Sequence, residues 1–352
     1  MSKIQFNIKQ LVRKNIQYLK PYSSARDEFT DFDQDMVFLD ANENPYENGV
    51  NRYPDPQQKS LKKIIANQRK VSETNLLLGN GSDEVLDLIF RAFCEPGIDN
   101  IITMPPTYGM YKVLANINNI EEQQVCLRED FQPNVEAILA TANNYSKLLF
   151  ICSPNNPSGN LIEQKRIEEL LEGFRGLVII DEAYIDFTDR ESWVGSIDKY
   201  PNLIVTQTLS KAYGLAGIRL GVCYASDKII AVLNKIKPPY NVNELTQQRA
   251  LQRVIEEDQI LAEVSAIIEG RTLLEEALST INFVEEIFKS DANFILVRVD
   301  DANKRYDQLI KEGIVVRNRS TQPLCKNTLR FTVGTKEENE KLIRVLTSIS
   351  KS

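Results

Sequence analysis

Short apolar runs rich in Ile, Leu and Val alternate with longer amphipathic stretches between about residue 75 and residue 236. This alternation predicts βαβ units and a mostly parallel sheet. The predicted strands are apolar throughout, as expected for strands that are buried on both faces of a sheet. They are Asn100–Met104, Lys147–Cys152, Gly176–Ile180, Asn202–Gln207 and Ile218–Tyr224.

The segments between these strands carry helical patterns, as in Gln164–Phe174, where apolar residues recur at helical spacing. The sequence Lys237-Pro238-Pro239-Tyr240 ends the alternation, because proline cannot continue a helix or a central strand. The following stretch, Asn243–Leu278, is compatible with one long helix that connects two domains. The rest of the chain predicts a smaller α+β unit. Its elements are Asn282–Ile287, Phe294–Val299, a helix near Tyr306–Gly313, Ile314–Arg317, Leu329–Val333 and a final helix.

Composition excludes several classes of function. The length of 352 residues suggests two domains, at roughly 100–200 residues per domain. A net charge of −7 argues against nucleic acid as a partner, because phosphate binding depends on clustered Lys and Arg. The chain has no histidine, which excludes a Ser-His-Asp triad and a histidine-based zinc site, and we expect no metal. Five dispersed cysteines and the lack of a long apolar run or a signal-peptide pattern predict a cytoplasmic protein without a membrane partner.

Three predicted strands end in segments that could carry chemistry. Lys211 lies in Thr208–Arg219, where it could be an imine-forming amine or a solvated loop lysine. Asp181 ends a second strand, where it could face a cationic ligand atom or only cap the next turn. Ser153–Gly159 follows a third strand and is either an amide-presenting loop or a plain turn. Because the carboxyl ends of parallel strands meet at one sheet edge, where ligands bind, we expect these segments to lie together.

A helix start adds a fourth candidate. The segment Gly79–Glu84 precedes an apolar helical pattern, so its Gly-Ser turn either presents free N–H groups to a phosphate or only caps the helix. Together the four segments would supply an amine, a carboxylate, an amide, a phenol and a phosphate-binding turn. This set matches pyridoxal 5′-phosphate, which needs a lysine, an acid opposite its pyridine nitrogen, and ligands for its ring oxygen and phosphate.

Seven motifs, by their order and spacing, resemble the histidinol-phosphate aminotransferases of the aspartate-aminotransferase (fold type I) group. They are DANENPYENGVNRYPDP, GNGSDE, PPTYGMY, SPNNPSG, DEAY, TLSKAYGLAGIRLG and RFTVGT. DEAY and NPSG are shared by many fold type I enzymes, whereas NENPY with RYPDP, PYSSAR, IVVRNR and LRFTVGT discriminate more. The resemblance covers nearly the whole chain. It implies an α/β fold with a large domain, built on a mostly parallel seven-stranded sheet between helices, and a smaller α+β domain.

The resemblance also implies the domain boundaries and the assembly. Residues 32–262 would form the large cofactor-binding domain, and residues 263–352 the small C-terminal domain. Residues 1–31 would form an N-terminal segment that contributes to the small domain and to a homodimer.

Cofactor-binding roles follow from the same resemblance. Lys211 would form the imine and carry the proton between the substrate α-carbon and the cofactor. Asp181 would pair with the pyridine nitrogen, where its negative charge favours the protonated ring. Asn156 and Tyr184 would bond the ring oxygen, and Tyr108 would stack on the ring face. The residues expected around the phosphate are Gly81, Ser82, Asp83, Ser210 and Arg219, with Tyr53 reaching over from the other subunit.

The implied reaction converts L-histidinol phosphate and 2-oxoglutarate to imidazole acetol phosphate and L-glutamate, in L-histidine biosynthesis. One site must then bind both a phosphate ester and a dicarboxylate, and guanidinium groups accept either anion in a bidentate manner. The implied substrate-binding residues are Arg317, Arg330, Tyr22 and Asn44, and Arg319 could assist them.

Two alternatives remain open from the sequence. The first keeps the cofactor and changes the substrate, as in an aromatic amino acid aminotransferase or a threonine-phosphate decarboxylase on the same scaffold. The second is a silent module that holds the cofactor as a regulatory ligand. Such modules carry an added DNA-binding domain, and this chain has no basic extension of that kind.

Overall fold

The chain folds around two β-sheets, as seen in a computed structural model that describes residues 7–21 and 37–351. The strands of the first sheet are β1 (Leu76–Asn80), β2 (Asn100–Thr103), β3 (Glu121–Gln124), β4 (Ser146–Cys152), β5 (Leu177–Asp181), β6 (Leu203–Thr208) and β7 (Leu220–Ala225). The strands of the second sheet are β8 (Val284–Ile287), β9 (Phe294–Val299), β10 (Arg317–Asn318) and β11 (Thr328–Thr332).

The seven-stranded sheet has the order β1-β7-β6-β5-β4-β2-β3. Strand β7 is antiparallel to both of its neighbours, and the remaining strands run in one direction. The carboxyl ends of β1, β4, β5 and β6 therefore lie along one edge of the sheet. This observation confirms the predicted mostly parallel α/β architecture.

Twelve α-helices are present in the described part of the chain. They are α1 (Ile8–Leu11), α2 (Lys14–Gln17), α3 (Lys59–Arg69), α4 (Gly81–Phe93), α5 (Met110–Ile117), α6 (Val135–Thr141), α7 (Gln164–Gly173), α8 (Asp227–Ile236), α9 (Glu244–Val254), α10 (Glu257–Leu278), α11 (Ala302–Lys311) and α12 (Lys336–Lys351). Within the described ranges, none of these helices combines the length and the apolar character that crossing a membrane requires.

Helices cover both faces of the large sheet, and this explains why its central strands are apolar at every position. In β4, Leu149 and Ile151 pack into the core on one face. The alternate residues Leu148 and Phe150 pack into a second core on the other face. All four side chains are fully buried, and each contributes about 1.5–3 kcal/mol of transfer free energy on burial. The central strands are therefore a rigid base for the residues that follow them.

The four-stranded sheet is antiparallel, in the order β10-β11-β9-β8. Its core residues, among them Leu329 and Phe331 of β11, pack with helices α10, α11 and α12 on one face. Side chains alternate across a strand, so Arg330 lies on the opposite face. Arg317 of β10 is its antiparallel partner and lies on that same face.

The prediction of one long helix over residues 243–278 is wrong. Residues 243–278 form two helices, α9 and α10, with a break at Ile255 and Glu256. No Gly or Pro lies at the break, so the cause is tertiary. Arg253 at the end of α9 donates from Nε to the carbonyl of Tyr213, at 3.0 Å, and pairs with both Glu256 and Glu263. These contacts favour a turn at a place where helix propensity favours continuation.

Two strand expectations also need correction. The predicted strand Ile218–Tyr224 begins at Leu220, because Ala216–Ile218 form a 3-10 turn and Arg219 has a left-handed backbone with φ of 56°. Strand β1 is not among the predicted strands, and neither is strand β3, whose sequence EEQQ carries no apolar pattern. Strand β3 lies at the sheet edge, where exposed polar side chains are tolerated.

Candidate active site

A cavity of about 90 Å³ opens at the sheet edge where β4, β5 and β6 end. Its lining combines residues from these strand ends, from the start of α4 and from the loop before β7. The lining residues are Ser82, Asp83, Tyr108, Cys152, Asn156, Asp181, Ala183, Tyr184, Thr208, Ser210, Lys211 and Arg219. The four segments singled out in the sequence therefore meet at one place.

Asp181 is a buried carboxylate at the base of the cavity, with 3% of its surface exposed. The hydroxyl of Tyr111 donates to its Oδ2 at 2.8 Å, and the backbone N–H of Ala183 donates to its Oδ1 at 3.3 Å. Burial raises the pKa of Asp181 to about 6, against these hydrogen bonds, which favour the charged form. Among the described residues no cation forms an ion pair with this carboxylate, so it can pair with the cationic ring nitrogen of a ligand.

Lys211 lies three residues beyond the end of β6, at the exposed mouth of the cavity. Its ammonium group is 5.7 Å from the centre of the Tyr184 ring. The pKa of Lys211 is lowered, first by partial loss of hydration and then by the charges of Arg330 and Arg219. A lysine with a lowered pKa holds more of its neutral form, which is the form that acts as a nucleophile or base.

Asn156 and Tyr184 line the cavity, and both side chains carry groups that can donate a hydrogen bond to an oxygen atom of a ligand. The Oδ1 atom of Asn156 accepts a hydrogen bond from Arg330 at 2.5 Å. Within the described residues its amide nitrogen has no partner, so this donor remains for a ligand. Tyr184 is buried, and burial raises the pKa of its phenol above the ordinary value, so the hydroxyl keeps its proton. Its ring packs edge to face on Phe294, with centroids 5.1 Å apart.

The start of α4 and the beginning of β7 form a close-packed corner. Gly81 has a φ of +79°, and a Cβ atom there would lie 2.7 Å from Nη2 of Arg219. A Cβ atom on Gly221 would lie only 2.3 Å from the backbone nitrogen of Ser82. Small residues therefore let the helix terminus, with its free N–H groups, and the Arg219 guanidinium share one corner. Such a corner attracts an anion.

Asp83 links Arg219 at this corner to the ring of Tyr108 through two hydrogen bonds. Its Oδ1 accepts from the hydroxyl of Tyr108 at 3.1 Å, and its Oδ2 accepts from Arg219 at 3.4 Å. The Asp83 side chain therefore has two protein partners, and only the backbone of this residue is available to a phosphate. Nearby, the hydroxyl of Thr208 donates to Oγ of Ser210 at 3.0 Å.

Replacing Gly221 with alanine is expected to displace the start of α4, because the new methyl group meets backbone rather than a flexible side chain. We expect a loss of about 1–3 kcal/mol in the free energy of unfolding and weaker binding of a phosphate-bearing ligand. Chemical denaturation and equilibrium dialysis measure the two effects. Gly217→Ala is the matched control, since a Cβ atom there has nothing within 4 Å. Equal behaviour of the two variants would contradict the close packing described here.

Three arginines, Arg317, Arg319 and Arg330, lie next to the cavity, on the face of the small sheet that is turned away from its core. The Arg330 guanidinium is 4.9 Å from the Phe294 ring centre, and its pKa is lowered to about 10 by burial and by the charges of Arg319 and Arg317. The Nε atoms of Arg319 and Arg330 are buried and have no hydrogen-bond partner in the described part of the chain. Nor does any described carboxylate form an ion pair with these three arginines.

Of the expected site residues that the structure describes, five do not line the cavity, and they are Gly81, Asn44, Tyr53, Arg317 and Arg330. Asn44 is exposed, and its side-chain oxygen accepts from the backbone of Tyr46 at 3.0 Å. Tyr53 is 51% exposed and stacks on Tyr240, with ring centres 4.5 Å apart. Tyr22 lies outside the described residues.

Several residues that line the cavity are not among the site residues expected from the sequence. Cys152 and Thr208 are the last residues of β4 and β6, so their position at strand ends was an available signal. Tyr111 carries a weaker signal, one helical turn after Tyr108 in the motif PPTYGMY. Its contact with Asp181 joins residues 70 positions apart and depends on the fold.

These features fit pyridoxal phosphate. The corner at Gly81 and Gly221, too tight for a Cβ atom, can receive a phosphate, and the buried carboxylate of Asp181 can face the pyridine nitrogen. Lys211 lines the same cavity and can supply the amine. The fold and the site together define a pyridoxal-phosphate-dependent transferase of fold type I.

Comparison with known proteins agrees. The family model "Aminotransferase class I and II" matches residues 31–346. The chain belongs to the class I and II aminotransferases, and it is a pyridoxal-phosphate-dependent transaminase.

Within that class the relatives are histidinol-phosphate aminotransferases. The enzyme from Flavobacterium johnsoniae is 63% identical over 97% of this chain and 98% of its own. That from Christiangramia forsetii is 63% identical over 96% of this chain and 97% of its own. The chain is therefore a member of the histidinol-phosphate aminotransferase family.

Solved structures show the same fold. The histidinol-phosphate aminotransferase from Clostridium acetobutylicum aligns with a TM-score of 0.79 and 28% identity, covering 86% of this chain and 91% of that one. The Sinorhizobium meliloti enzyme, in complex with pyridoxal-5′-phosphate, has a TM-score of 0.79, 23% identity and coverage of 85% and 83%. A threonine-phosphate decarboxylase from Porphyromonas gingivalis also aligns, with a TM-score of 0.73, 23% identity and coverage of 86% and 92%. The last two matches show the fold alone, and the fold alone does not select the substrate.

Proposed function

We propose that the protein transfers the amino group of L-histidinol phosphate to 2-oxoglutarate, giving imidazole acetol phosphate and L-glutamate in L-histidine biosynthesis. The names of its relatives at 63% identity support this proposal. The observation that carries it is the group of three arginines beside the cavity, which no described carboxylate neutralises.

When bound, pyridoxal phosphate supplies an electron sink that makes the substrate α-carbon acidic. Lys211 would accept the proton from this carbon and deliver it to the cofactor. Accepting the proton requires the neutral amine. The cations at Arg330 and Arg219 help to keep the Lys211 amine neutral. Asp181 would favour a proton on the pyridine nitrogen, while Asn156 and Tyr184 would hold the ring oxygen.

The helix start and Arg219 would anchor the phosphate of the cofactor at the corner next to Gly81. Backbone N–H groups at a helix start and the Arg219 guanidinium are both hydrogen-bond donors suited to a phosphate. The Asp83 carboxylate orients both Arg219 and Tyr108, so the phosphate corner and the aromatic wall keep a fixed relation. The phosphate and the ring of a bound cofactor would therefore be held by residues whose relative positions are fixed.

Arg330 and Arg317 bind the anionic end of either substrate. Both lie on one face of the small sheet as an antiparallel pair, and Arg330 contacts the large-sheet loop through Asn156. A guanidinium group accepts a phosphate or a carboxylate with similar geometry, so one pair of residues can serve both half-reactions. Arg319 adds a third positive charge on the same face, which favours a phosphate dianion.

Arg330→Gln is expected to raise KM for histidinol phosphate and for 2-oxoglutarate by about 10–100-fold each, as expected for the loss of hydrogen bonds to a charged group. Steady-state kinetics with each substrate varied in turn measures the effect. Arg344→Gln, at an exposed site on α12, is the control and should leave both KM values unchanged. An increase for only one of the two substrates would contradict a shared anion site.

Substrate choice is tested by comparing three amino donors. We expect kcat/KM for histidinol phosphate to exceed the values for phenylalanine and threonine phosphate by at least about 100-fold. Phenylalanine lacks the phosphate ester that the three arginines favour, and the relatives at 63% identity are histidinol-phosphate aminotransferases. Release of carbon dioxide from threonine phosphate, or a preference for phenylalanine, would move the function to one of the alternative enzymes.

We also propose a homodimer in which Tyr53 reaches the phosphate of the neighbouring subunit's cofactor. The exposed ring of Tyr53 supports this assembly, since it lies away from the cavity of its own chain, in a groove formed with Asn243–Leu245. Analytical ultracentrifugation tests the dimer, and a dimer of Tyr53→Phe subunits should bind the cofactor more weakly.

The division into a large domain of residues 32–262 and a small domain of residues 263–352 is likewise proposed. Two separate sheets with separate cores support it, and helix α10 runs across the boundary. A cytoplasmic location is proposed because all five cysteines are free thiols, as expected in a reducing compartment.

A further inference from the structure

Tyr111 contacts two residues that line the cavity, Tyr108 and Asp181. It lies on α5, with its side chain fully buried. Its ring stacks on Phe150, with centroids 4.7 Å apart and planes at 20°. Its ring also packs edge to face against Tyr108, with centroids 5.6 Å apart and planes at 85°. Its hydroxyl donates to Oδ2 of Asp181 at 2.8 Å.

The direction of this hydrogen bond is well defined. Burial and the nearby Asp181 charge raise the pKa of the Tyr111 phenol well above its ordinary value, so the phenol keeps its proton and acts as the donor. An ionised carboxylate accepts such a bond more strongly than a neutral carboxyl group. The Tyr111 hydroxyl therefore stabilises the charged form of Asp181, against the burial that favours the neutral form.

Asp181 has few other sources of support. The backbone N–H of Ala183 donates at a longer distance, 3.3 Å, and the Thr206 hydroxyl on the neighbouring strand β6 also favours the charged form. Asp83 adds a like charge that opposes ionisation. The other titratable groups near Asp181 are Cys152 of β4, Tyr108, Tyr184 and Lys211. Of these, the Lys211 ammonium favours the charged carboxylate, and its charge is lost when the lysine works as a base.

We propose that Tyr111 is a positioning residue that holds Asp181 ionised and in one rotamer for the pyridine nitrogen, while its ring backs the Tyr108 ring that faces the cofactor. One side chain then orients both the charged partner and the aromatic partner of the same ring. The inference rests on the proposed role of Asp181 and adds a second residue through which that role is exercised.

The test is Tyr111→Phe, which keeps the aromatic packing and removes only the hydroxyl. In the protein without added cofactor, carboxyl-carbon NMR should show the Asp181 pKa shifted upward from the wild-type value. The dissociation constant for pyridoxal phosphate should rise about 10–100-fold, the range for a hydrogen bond to a charged group. With saturating cofactor, kcat should fall while KM for histidinol phosphate stays nearly constant.

Tyr200→Phe is the matched control. Tyr200 is also buried, and its hydroxyl has no hydrogen-bond partner among the described residues. A purely structural role for Tyr111 would lower the melting temperature and leave the Asp181 pKa and the kcat at saturating cofactor as in Tyr200→Phe, and this result would overturn the proposal.

Asp181→Asn is measured in parallel to separate two kinds of failure. If it binds pyridoxal phosphate weakly while Tyr111→Phe behaves like Tyr200→Phe, only the inference on Tyr111 fails. If Asp181→Asn itself binds the cofactor and turns over like the wild type, the role of Asp181 fails, and the role of Tyr111 fails with it.

Discussion

Lys211→Ala is expected to lower turnover of histidinol phosphate with 2-oxoglutarate by roughly 10⁴-fold or more, the upper range for loss of a general acid–base group. The effect should exceed that of any other single substitution, because Lys211 is both the amine that holds the cofactor and the group that moves the proton. No other lysine lines the cavity in the described part of the chain. Glutamate formation in a steady-state assay with excess cofactor measures the loss.

Lys211→Arg distinguishes the charge of this residue from its chemistry. A guanidinium group keeps the positive charge and does not release a proton in proteins, so we expect this variant to be nearly as inactive as Lys211→Ala. Lys165→Ala, at an exposed site on α7, should retain wild-type activity. Substantial turnover by either Lys211 variant would show that the proton is moved by another group.

Asp181→Asn is expected to lower kcat by roughly 10²–10³-fold, comparable to the loss of one preorganised electrostatic contact at the reacting centre. The amide has nearly the same shape but carries no charge, so it no longer favours a protonated pyridine nitrogen. The rate is measured at saturating pyridoxal phosphate so that weaker cofactor binding does not account for the loss.

Asp181→Glu keeps the charge and serves as the comparison. We expect it to retain more activity than Asp181→Asn, even though the longer side chain disturbs the bond from Tyr111. If the asparagine variant were the more active of the two, the geometry at this position would matter more than its charge.

The architecture of the large sheet was predictable because its central strands are buried on both faces. Strands β4, β5 and β6 read as continuous apolar runs, and the polar residues that follow them mark the edge where ligands bind. Lys211, Asp181 and Asn156 were found in this way, and the structure brings all three to one cavity.

The rest of the site depends on contacts between distant parts of the chain. The bond from Arg330 to Asn156 joins residues 174 positions apart, and no local pattern announces it. The same holds for the break between α9 and α10, which follows from the contacts of Arg253. The left-handed backbone at Arg219 is equally hidden, since glycine is the residue expected in that conformation.

The face of the small sheet that carries Arg317 and Arg330 has one feature that was expected from the sequence and one that was not. Strand pairing places Arg317 opposite Arg330, and the family resemblance had implied a shared task for the two residues. That neither has a carboxylate partner among the described residues became visible only in three dimensions. An unneutralised cluster of guanidinium groups beside the cofactor cavity is what connects the fold to a phosphorylated substrate.

The most direct test of the proposed activity is a single turnover in which the two half-reactions are carried out separately. Protein loaded with pyridoxal phosphate is incubated with L-histidinol phosphate alone, freed of small molecules by gel filtration, and then given 2-oxoglutarate. We expect glutamate in an amount that matches the amount of subunits, and far less when phenylalanine or threonine phosphate replaces histidinol phosphate. No glutamate after histidinol phosphate, with glutamate after phenylalanine, would contradict the proposed substrate.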